Sequence, residues 1–175
     1  MKKSKQIAFC GMLAALSIAL MFLGSIIWAF TYIAPLLCSL IMIIINKSIG
    51  RGYSLSTYAA VGIISLIFLP DKECALTYIF FFGYYTIIKE DLEKIKSRLG
   101  SLAIKLLIFN SGIILSQLIL IYAFGIPFDD FLGKWGAVIL LALANLIFFI
   151  YEKMLNSMIF IYDKKYQKKI DRLFR

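Results

Sequence analysis

The segment at residues 71–89, DKECALTYIFFFGYYTIIK, combines possible ligand-binding groups with the length of a helix that can cross a bilayer. Residues three and four positions apart share a helix face. One such face carries an acid, a hydroxyl and three aromatic rings: Glu73, Thr77, Phe80, Phe81 and Tyr84. A helix that only contacts lipid does not need this combination. We therefore hypothesise that this stripe lines a small-molecule site.

The composition predicts that this segment belongs to an all-α integral membrane protein. Of the 175 residues, 62% are apolar and 17% are charged. A soluble domain has about 45–50% apolar and about 25% charged residues. Several continuous apolar runs approach or exceed the ~20 residues that a membrane-spanning helix needs. The other helices must then position the stripe within a bundle.

Six apolar runs predict a six-transmembrane-helix bundle in a single membrane domain. The spans are expected near residues 6–30, 33–47, 53–69, 73–90, 101–124 and 133–152, followed by a basic tail at 153–175. That tail is either a helix lying along the inner membrane surface or a solvated terminus.

The basic residues predict the orientation of the bundle. With six spans, 17 of the 19 Lys and Arg residues fall in the termini and in the loops on the same side, and only Lys72 and Lys134 fall on the other. Cytoplasmic segments of membrane proteins carry this excess of positive charge. Both termini are therefore predicted to be cytoplasmic, with Glu73 outside and Lys89 inside.

The residue types argue against a catalytic centre, a metal site or a bound cofactor. The chain contains no His, the commonest metal ligand and general base. Cys10, Cys38 and Cys74 stand alone, without the paired spacing of metal or redox motifs. The net charge of +9 is spread between apolar runs and in the tail, which does not favour a nucleic-acid partner.

A stripe of small residues marks the first predicted span. Gly11, Ala15 and Ala19 are four positions apart and share a helix face. Small residues let two membrane helices approach closely. The stripe therefore either packs within the protein's own bundle or forms a docking groove for another membrane subunit.

These features together resemble the S component of an energy-coupling factor (ECF) transporter. The resemblance covers the length, the span count and the topology, and is strongest over residues 3–20, where KQIAFCGMLAALSIAL is similar to the family's Ala-xxx-Ala signature. Gly11 stands where the longer family stripe has alanine. Further similarity lies at Phe82, Gly83, Tyr84, Tyr85, Tyr162 and Asp163.

The resemblance implies a function in transport. S components are multi-pass proteins of the bacterial plasma membrane that bind a vitamin or similar micronutrient from outside. They join a transmembrane coupling protein and two cytoplasmic ATPases, and they topple in the membrane to release the substrate. The chain itself has no phosphate-cradling Gly-rich motif ending in Lys and Ser or Thr, so ATP hydrolysis must come from a partner.

The resemblance also implies where the ligand binds. S components hold it in the outer half, among the fourth to sixth helices. The matching positions here are Glu73, Thr77, Tyr78, Phe81, Asn110, Gln117, Trp135 and Asn145. Glu73 is expected to bind an amine or a ring nitrogen, whereas Lys72 could meet a carboxylate or a phosphate.

Several of these residues have another explanation. Asn110 and Asn145 can hydrogen-bond to each other near the middle of the membrane, because an amide in hydrocarbon needs a partner. Tyr78 and Trp135 can belong to the outer aromatic belt. Gln117 is predicted to lie higher in the membrane than Asn110 and is the better ligand candidate.

Aromatic residues on either side of the predicted site have their own expected roles. Trp28, Phe30 and Tyr32 lie at the first outer turn and suit an apolar lid. Tyr84 and Tyr85 lie deeper than Glu73 and are expected to pack or to anchor at the inner interface.

Two other function classes compete with substrate capture. A membrane-embedded enzyme would need clustered carboxylates, His or Cys within the spans, whereas the acids here lie in loops or at span ends. An accessory protein that only assembles a complex would not need the polar and aromatic stripe at residues 73–84.

Overall fold

The computed structural model describes residues 2–27, 30–126 and 136–166, and the secondary structure within them is entirely helical. This confirms the predicted all-α class. Counting the three consecutive segments at 72–93 as one helix, this part of the chain contains six helices. They are α1 (Lys2–Ile26), α2 (Ile33–Ser48), α3 (Arg51–Phe68), α4 (Lys72–Thr77, the π-helical Tyr78–Phe82 and Gly83–Glu93), α5 (Arg98–Phe124) and α6 (Gly136–Ile161), which a π-helical turn, Tyr162–Tyr166, extends.

Three helical stretches of the described chain are long and apolar enough to cross a membrane: Lys3–Ile26, Arg98–Phe124 and Val138–Lys165. Helix α2 is apolar but has only 16 residues. The outward faces of the bundle carry large apolar side chains that are more than half exposed, among them Ile7, Met12, Ile63, Leu107 and Leu146. A soluble monomer rarely exposes apolar surface on this scale, so the bundle suits a lipid environment.

Local sequence sets where the helices begin and end. Gly50, between α2 and α3, has a φ of 122°, which side-chain-bearing residues rarely adopt. Asp71 caps α4 by accepting a hydrogen bond from the Glu73 backbone N–H, and Ser97 caps α5 by accepting one from Gly100. Gly125, with a φ of 65°, ends α5.

Some helix bounds differ from the predicted spans. Helix α6 runs past residue 152 to Ile161, so the first part of the predicted tail continues the same helix. Helix α4 continues past the predicted bound at residue 90 to Glu93, and α5 begins at Arg98, before the predicted start at residue 101. Residues 28–29 and 133–135 of the predicted spans, and 167–175 of the predicted tail, lie outside the described residues.

Helix α4 forms the centre of the bundle. Tyr78, Phe81 and Tyr85 on this helix are almost completely buried. The Phe81 ring lies 4.9 Å from the ring centroid of Phe109 on α5 and 6.0 Å from that of Phe148 on α6. Aromatic pairs at these spacings add to the free energy of packing. The helix with the predicted stripe is therefore also the core helix.

The π-helical segment Tyr78–Phe82 interrupts the regular spacing of α4. A π-turn disturbs the α-helical hydrogen-bond ladder, and here the Tyr58 hydroxyl donates to the Ile79 carbonyl oxygen at 2.7 Å. The wider turn also changes which residues share a face. Phe81 points towards Phe109, whereas the Tyr84 ring lies 6.2 Å from Tyr58 on α3. The single predicted stripe is therefore divided between two neighbours.

Gly112 lets α5 approach this π-helical segment closely. A Cβ atom at Gly112 would lie 2.5 Å from the Phe80 carbonyl oxygen. We predict that Gly112→Ala lowers the free energy of unfolding by about 1–3 kcal/mol, because the methyl group forces α4 and α5 apart. Thermal unfolding in detergent can be followed with a thiol-reactive dye, since Cys10, Cys38 and Cys74 are buried.

The matched control is Gly52→Ala. A Cβ atom at Gly52 has no neighbouring heavy atom within 4 Å, and alanine is favoured over glycine in a helix by about 1 kcal/mol. Gly52→Ala should therefore leave the protein as stable as before or slightly more stable. Equal unfolding temperatures for the two variants would contradict the close α4–α5 contact.

Candidate functional site

Three polar side chains from three parts of the chain meet at the N-terminal end of α4. Glu73 Oε1 accepts a hydrogen bond from the Tyr32 hydroxyl at 2.6 Å and another from Gln117 Nε2 at 2.7 Å. Tyr32 immediately precedes α2, Glu73 lies in the first turn of α4, and Gln117 lies on α5. We call these three residues the Glu73 cluster. The structure thus brings together two predicted site residues, Glu73 and Gln117.

The carboxylate of Glu73 has no cationic partner in the part of the chain that the structure describes. Both of its hydrogen bonds end on Oε1, which leaves Oε2 able to accept others. The half-buried Glu73 side chain can therefore bind a cationic or hydrogen-bond-donating group.

Lys72, beside the Glu73 cluster, has a structural role. Its Nζ donates to the carbonyl oxygens of Leu66 at 3.0 Å and Leu69 at 2.8 Å, at the C-terminal end of α3. These carbonyls have no partner within their own helix, and a lysine satisfies them well. This arrangement disfavours the expected contact of Lys72 with a ligand anion.

Thr77, Tyr78 and Phe81 are buried below the Glu73 cluster. The Thr77 hydroxyl donates to the Glu73 carbonyl oxygen within α4. The Tyr78 ring is fully buried beside Tyr58, so it does not lie in an outer aromatic belt. The Tyr78 hydroxyl has no hydrogen-bond partner among the described residues. Phe81 packs in the aromatic core.

Asn110 and Asn145 form a pair of their own between α5 and α6. Each Nδ2 donates to the other residue's Oδ1 at 2.9 Å. The same nitrogens also donate to the carbonyl oxygens of Leu106 and Leu141, both at 2.8 Å. Each Nδ2 amide group therefore already has two acceptors, one across the α5–α6 contact and one in its own helix. This supports the mutual pairing of Asn110 and Asn145 over a role in ligand binding. Trp135 and Trp28 lie outside the described residues.

A second polar cluster, which sequence reasoning missed, lies at the opposite end of the bundle. We call it the Glu152 cluster, and it joins α4, α5 and α6. Lys105 Nζ lies 2.5 Å from Glu152 Oε1 and 3.4 Å from Glu93 Oε1. Lys89 Nζ lies 2.6 Å from Glu93 Oε1 and also bonds to Glu152. The Tyr85 hydroxyl donates to Glu152 Oε2 at 2.8 Å.

The Glu152 cluster is largely shielded from solvent. The exposed fractions of the Lys89, Lys105 and Glu152 side chains are 0%, 9% and 13%. Charges buried to this degree need partners, and here two lysines face two carboxylates. Charge counting treated Lys89 and Lys105 as loop residues. The isolated position of Lys105 within an apolar helix was the signal that could have revealed the cluster.

Two further ion pairs lie at the same end of the bundle. Lys47 lies 2.6 Å from Glu90, and Arg51 lies 2.6 Å from Asp91. Hydrogen bonds from Lys94 and from Arg51 hold the pKa of Asp91 below its ordinary value. These pairs tie the α2–α3 connection to the end of α4.

Two cavities lie outside the predicted substrate site. One, of about 400 Å³, adjoins the Glu152 cluster. The other, of about 310 Å³, is an apolar groove between α2 and α6. None of the eight predicted substrate-binding residues lines either cavity.

The small-residue stripe of α1 lies on the surface. Gly11, Ala15 and Ala19 are exposed, and a Cβ atom at Gly11 would have no neighbouring heavy atom within 4 Å. Ser17 and Met21 are buried instead. The stripe therefore does not pack against the described part of the bundle.

Comparisons with known proteins add no assignment. No family model, curated protein or solved structure matches this chain. Among the described residues, no group of three or more His, Cys, Asp or Glu side chains is arranged to hold a metal ion.

The Glu152 cluster gives a prediction about stability. Glu152→Gln should lower the free energy of unfolding by about 3–5 kcal/mol, because it leaves two buried lysines to share Glu93. Adding Lys105→Met should restore part of the loss by removing one of the buried cations. SDS-induced unfolding of the purified protein measures both changes.

The matched control is Lys153→Gln at the neighbouring, exposed position, which should change stability by less than about 0.5 kcal/mol. If Glu152→Gln were as stable as Lys153→Gln, the buried ion cluster would not contribute as described.

Proposed function

We propose that this chain is the substrate-binding membrane subunit of an ECF-type importer. In this proposal it captures a vitamin-like micronutrient from outside the cell. It then delivers the substrate through a transmembrane coupling protein that two cytoplasmic ATPases energise. The six helices cross the bacterial plasma membrane, both termini are cytoplasmic, and the Glu73 end faces outside.

The Glu73 cluster is the observation that carries the proposal. It lies at one end of the bundle, where a carboxylate, a phenol and an amide from separate elements converge. A half-buried carboxylate without a described cationic partner is costly unless another group compensates it. A ligand amine or protonated ring nitrogen would supply that compensation. This favours substrate capture over a purely structural role.

The distribution of charge and apolar surface supports the orientation. The Glu152 end carries the ion pairs of Lys47, Arg51, Lys89 and Lys105, as the positive-inside rule requires of a cytoplasmic end. The exposed apolar side chains between the two ends would contact lipid.

The Glu73 cluster gives the first test. Glu73→Gln should reduce the amount of bound small molecule about tenfold or more, because a hydrogen bond to a charged group contributes about 1.5–3 kcal/mol. The measurement is mass spectrometry of small molecules extracted from the purified protein, which also identifies the substrate.

Asp71→Asn is the matched control for this test. It removes a neighbouring negative charge but keeps the helix cap, since Asn caps as well as Asp. Asp71→Asn should therefore retain the ligand. Loss of ligand in both variants would mean that binding depends on the total negative charge at this end of α4 and not on a direct contact with Glu73. No extractable ligand in the unaltered protein would remove the support for substrate capture.

The exposed stripe of α1 gives a second test. Ala15→Trp should abolish co-purification of the coupling protein and the ATPases while leaving ligand binding intact, because a large side chain prevents close helix approach. The control is Ala103→Trp, an equally large change at an exposed alanine on α5. If the complex survives Ala15→Trp, the stripe is not the docking face. Recovery without any ATPase or coupling protein would instead favour an accessory or enzymatic membrane protein.

A further inference from the structure

The seam between α5 and α6 opens into a cavity at the Glu152 end. Going along this seam towards the Glu152 end, the Asn110–Asn145 pair is followed by the Lys105–Glu152 contact. Beyond Lys105 a cavity of about 400 Å³ lies against both helices. Its size falls in the range of about 300–1,000 Å³ that is typical of small-molecule sites.

Two free hydrogen-bond donors lie on this cavity. The Arg98 guanidinium makes no ion pair within the described residues, and the Asn156 amide has no described hydrogen-bond partner. The other polar donors are already used, because Ser101 Oγ donates to the Leu92 carbonyl oxygen at 2.8 Å and Lys105 bonds to Glu152. A planar guanidinium with free donors is suited to a phosphate or a carboxylate.

A carboxylate lies on the same cavity. The Glu93 side chain is 42% exposed, while its Oε1 accepts from the buried Lys89 and from Lys105. A simple anion would bind Arg98 but would lie close to Glu93, which opposes it. A ligand that carries both signs can place its anion at Arg98 and its cation at Glu93.

The apolar surroundings indicate the source of such a ligand. The side chains of Ile95 and Leu102 line the cavity, and Leu99, next to Arg98, is 80% exposed, so acyl chains can extend over this end of α5. The ion pairs of Lys47 and Arg51 lie at the same end of the bundle, at the level where lipid headgroups are expected. The cavity therefore combines headgroup-binding side chains with a surface for acyl chains.

The geometry points to a binding site for a phosphoethanolamine headgroup in the cavity between α5 and α6, with the phosphate at Arg98 and Asn156 and the ammonium at Glu93. The site is distinct from the Glu73 cluster at the other end of the bundle. It does not depend on the transport function proposed above.

Native mass spectrometry of the full-length protein in detergent tests this site. The probes are short-chain phosphatidylethanolamine, phosphatidylglycerol and phosphatidylcholine. Phosphatidylethanolamine should bind best, because phosphatidylglycerol lacks the cation and the quaternary amine of phosphatidylcholine cannot donate a hydrogen bond to Glu93. Arg98→Gln should weaken its binding about tenfold.

Lys96→Gln is the matched control. It makes the same change of charge two residues away, at an exposed lysine that does not line the cavity. It should leave the binding of phosphatidylethanolamine unchanged. If Lys96→Gln weakened lipid binding as much as Arg98→Gln, the loss would follow from the change in net charge alone, and the proposal would be overturned.

Two further variants test separately the binding of the ligand's ammonium group at Glu93 and of its phosphate at Asn156. Glu93→Gln should remove the preference for phosphatidylethanolamine over phosphatidylglycerol. Asn156→Leu, which leaves the Glu152 cluster intact, should weaken both lipids, so the test does not depend on the stability of Glu93→Gln.

Soluble phosphoethanolamine identifies the source of the ligand. Weak competition by it supports a lipid site, and competition at equal affinity supports the same headgroup chemistry with a soluble ligand. Equal binding of all three lipids, unaffected by Arg98→Gln, would show only non-specific surface lipid and would overturn the proposal.

Discussion

The structure depends on one constraint: polar groups inside an apolar bundle must find their partners within the protein, because hydrocarbon supplies none. The Asn110–Asn145 pair meets this constraint between α5 and α6. The Glu152 cluster meets it with charges. The buried Lys89 on α4 and Lys105 on α5 share the carboxylates of Glu93 on α4 and Glu152 on α6. Because a buried charge without a partner is far less favourable than a paired one, these contacts fix which helices are neighbours.

Helix α4 connects the two polar clusters. Glu73 lies in its first turn, and Lys89 lies near its end. Between them, the π-helical segment and the aromatic core hold α4 against α3, α5 and α6. Gly112 permits the close contact with α5.

The candidate site was partly predictable from residue types. An acid at a helix start and an amide in an apolar span are both costly in a membrane, and Glu73 and Gln117 do meet. The role of Tyr32 was not predictable as a hydrogen-bond donor, because its partner lies 41 residues away. Nor was the division of the α4 stripe, since the π-helical segment coincides with contacts to Tyr58 and Gly112, which lie far from it in the sequence.

The sequence by itself determined the all-α class, because long apolar runs with few charges can satisfy their backbone hydrogen bonds in hydrocarbon only as helices. Local residue types also set several helix ends, at Asp71, Ser97 and the glycines at 50 and 125. Only the tertiary structure decided that Lys89 and Lys105 are buried with Glu152 and are not loop charges. Burial depends on which helices are neighbours, and charges 47 and 63 residues apart from Glu152 become partners only when the bundle has formed.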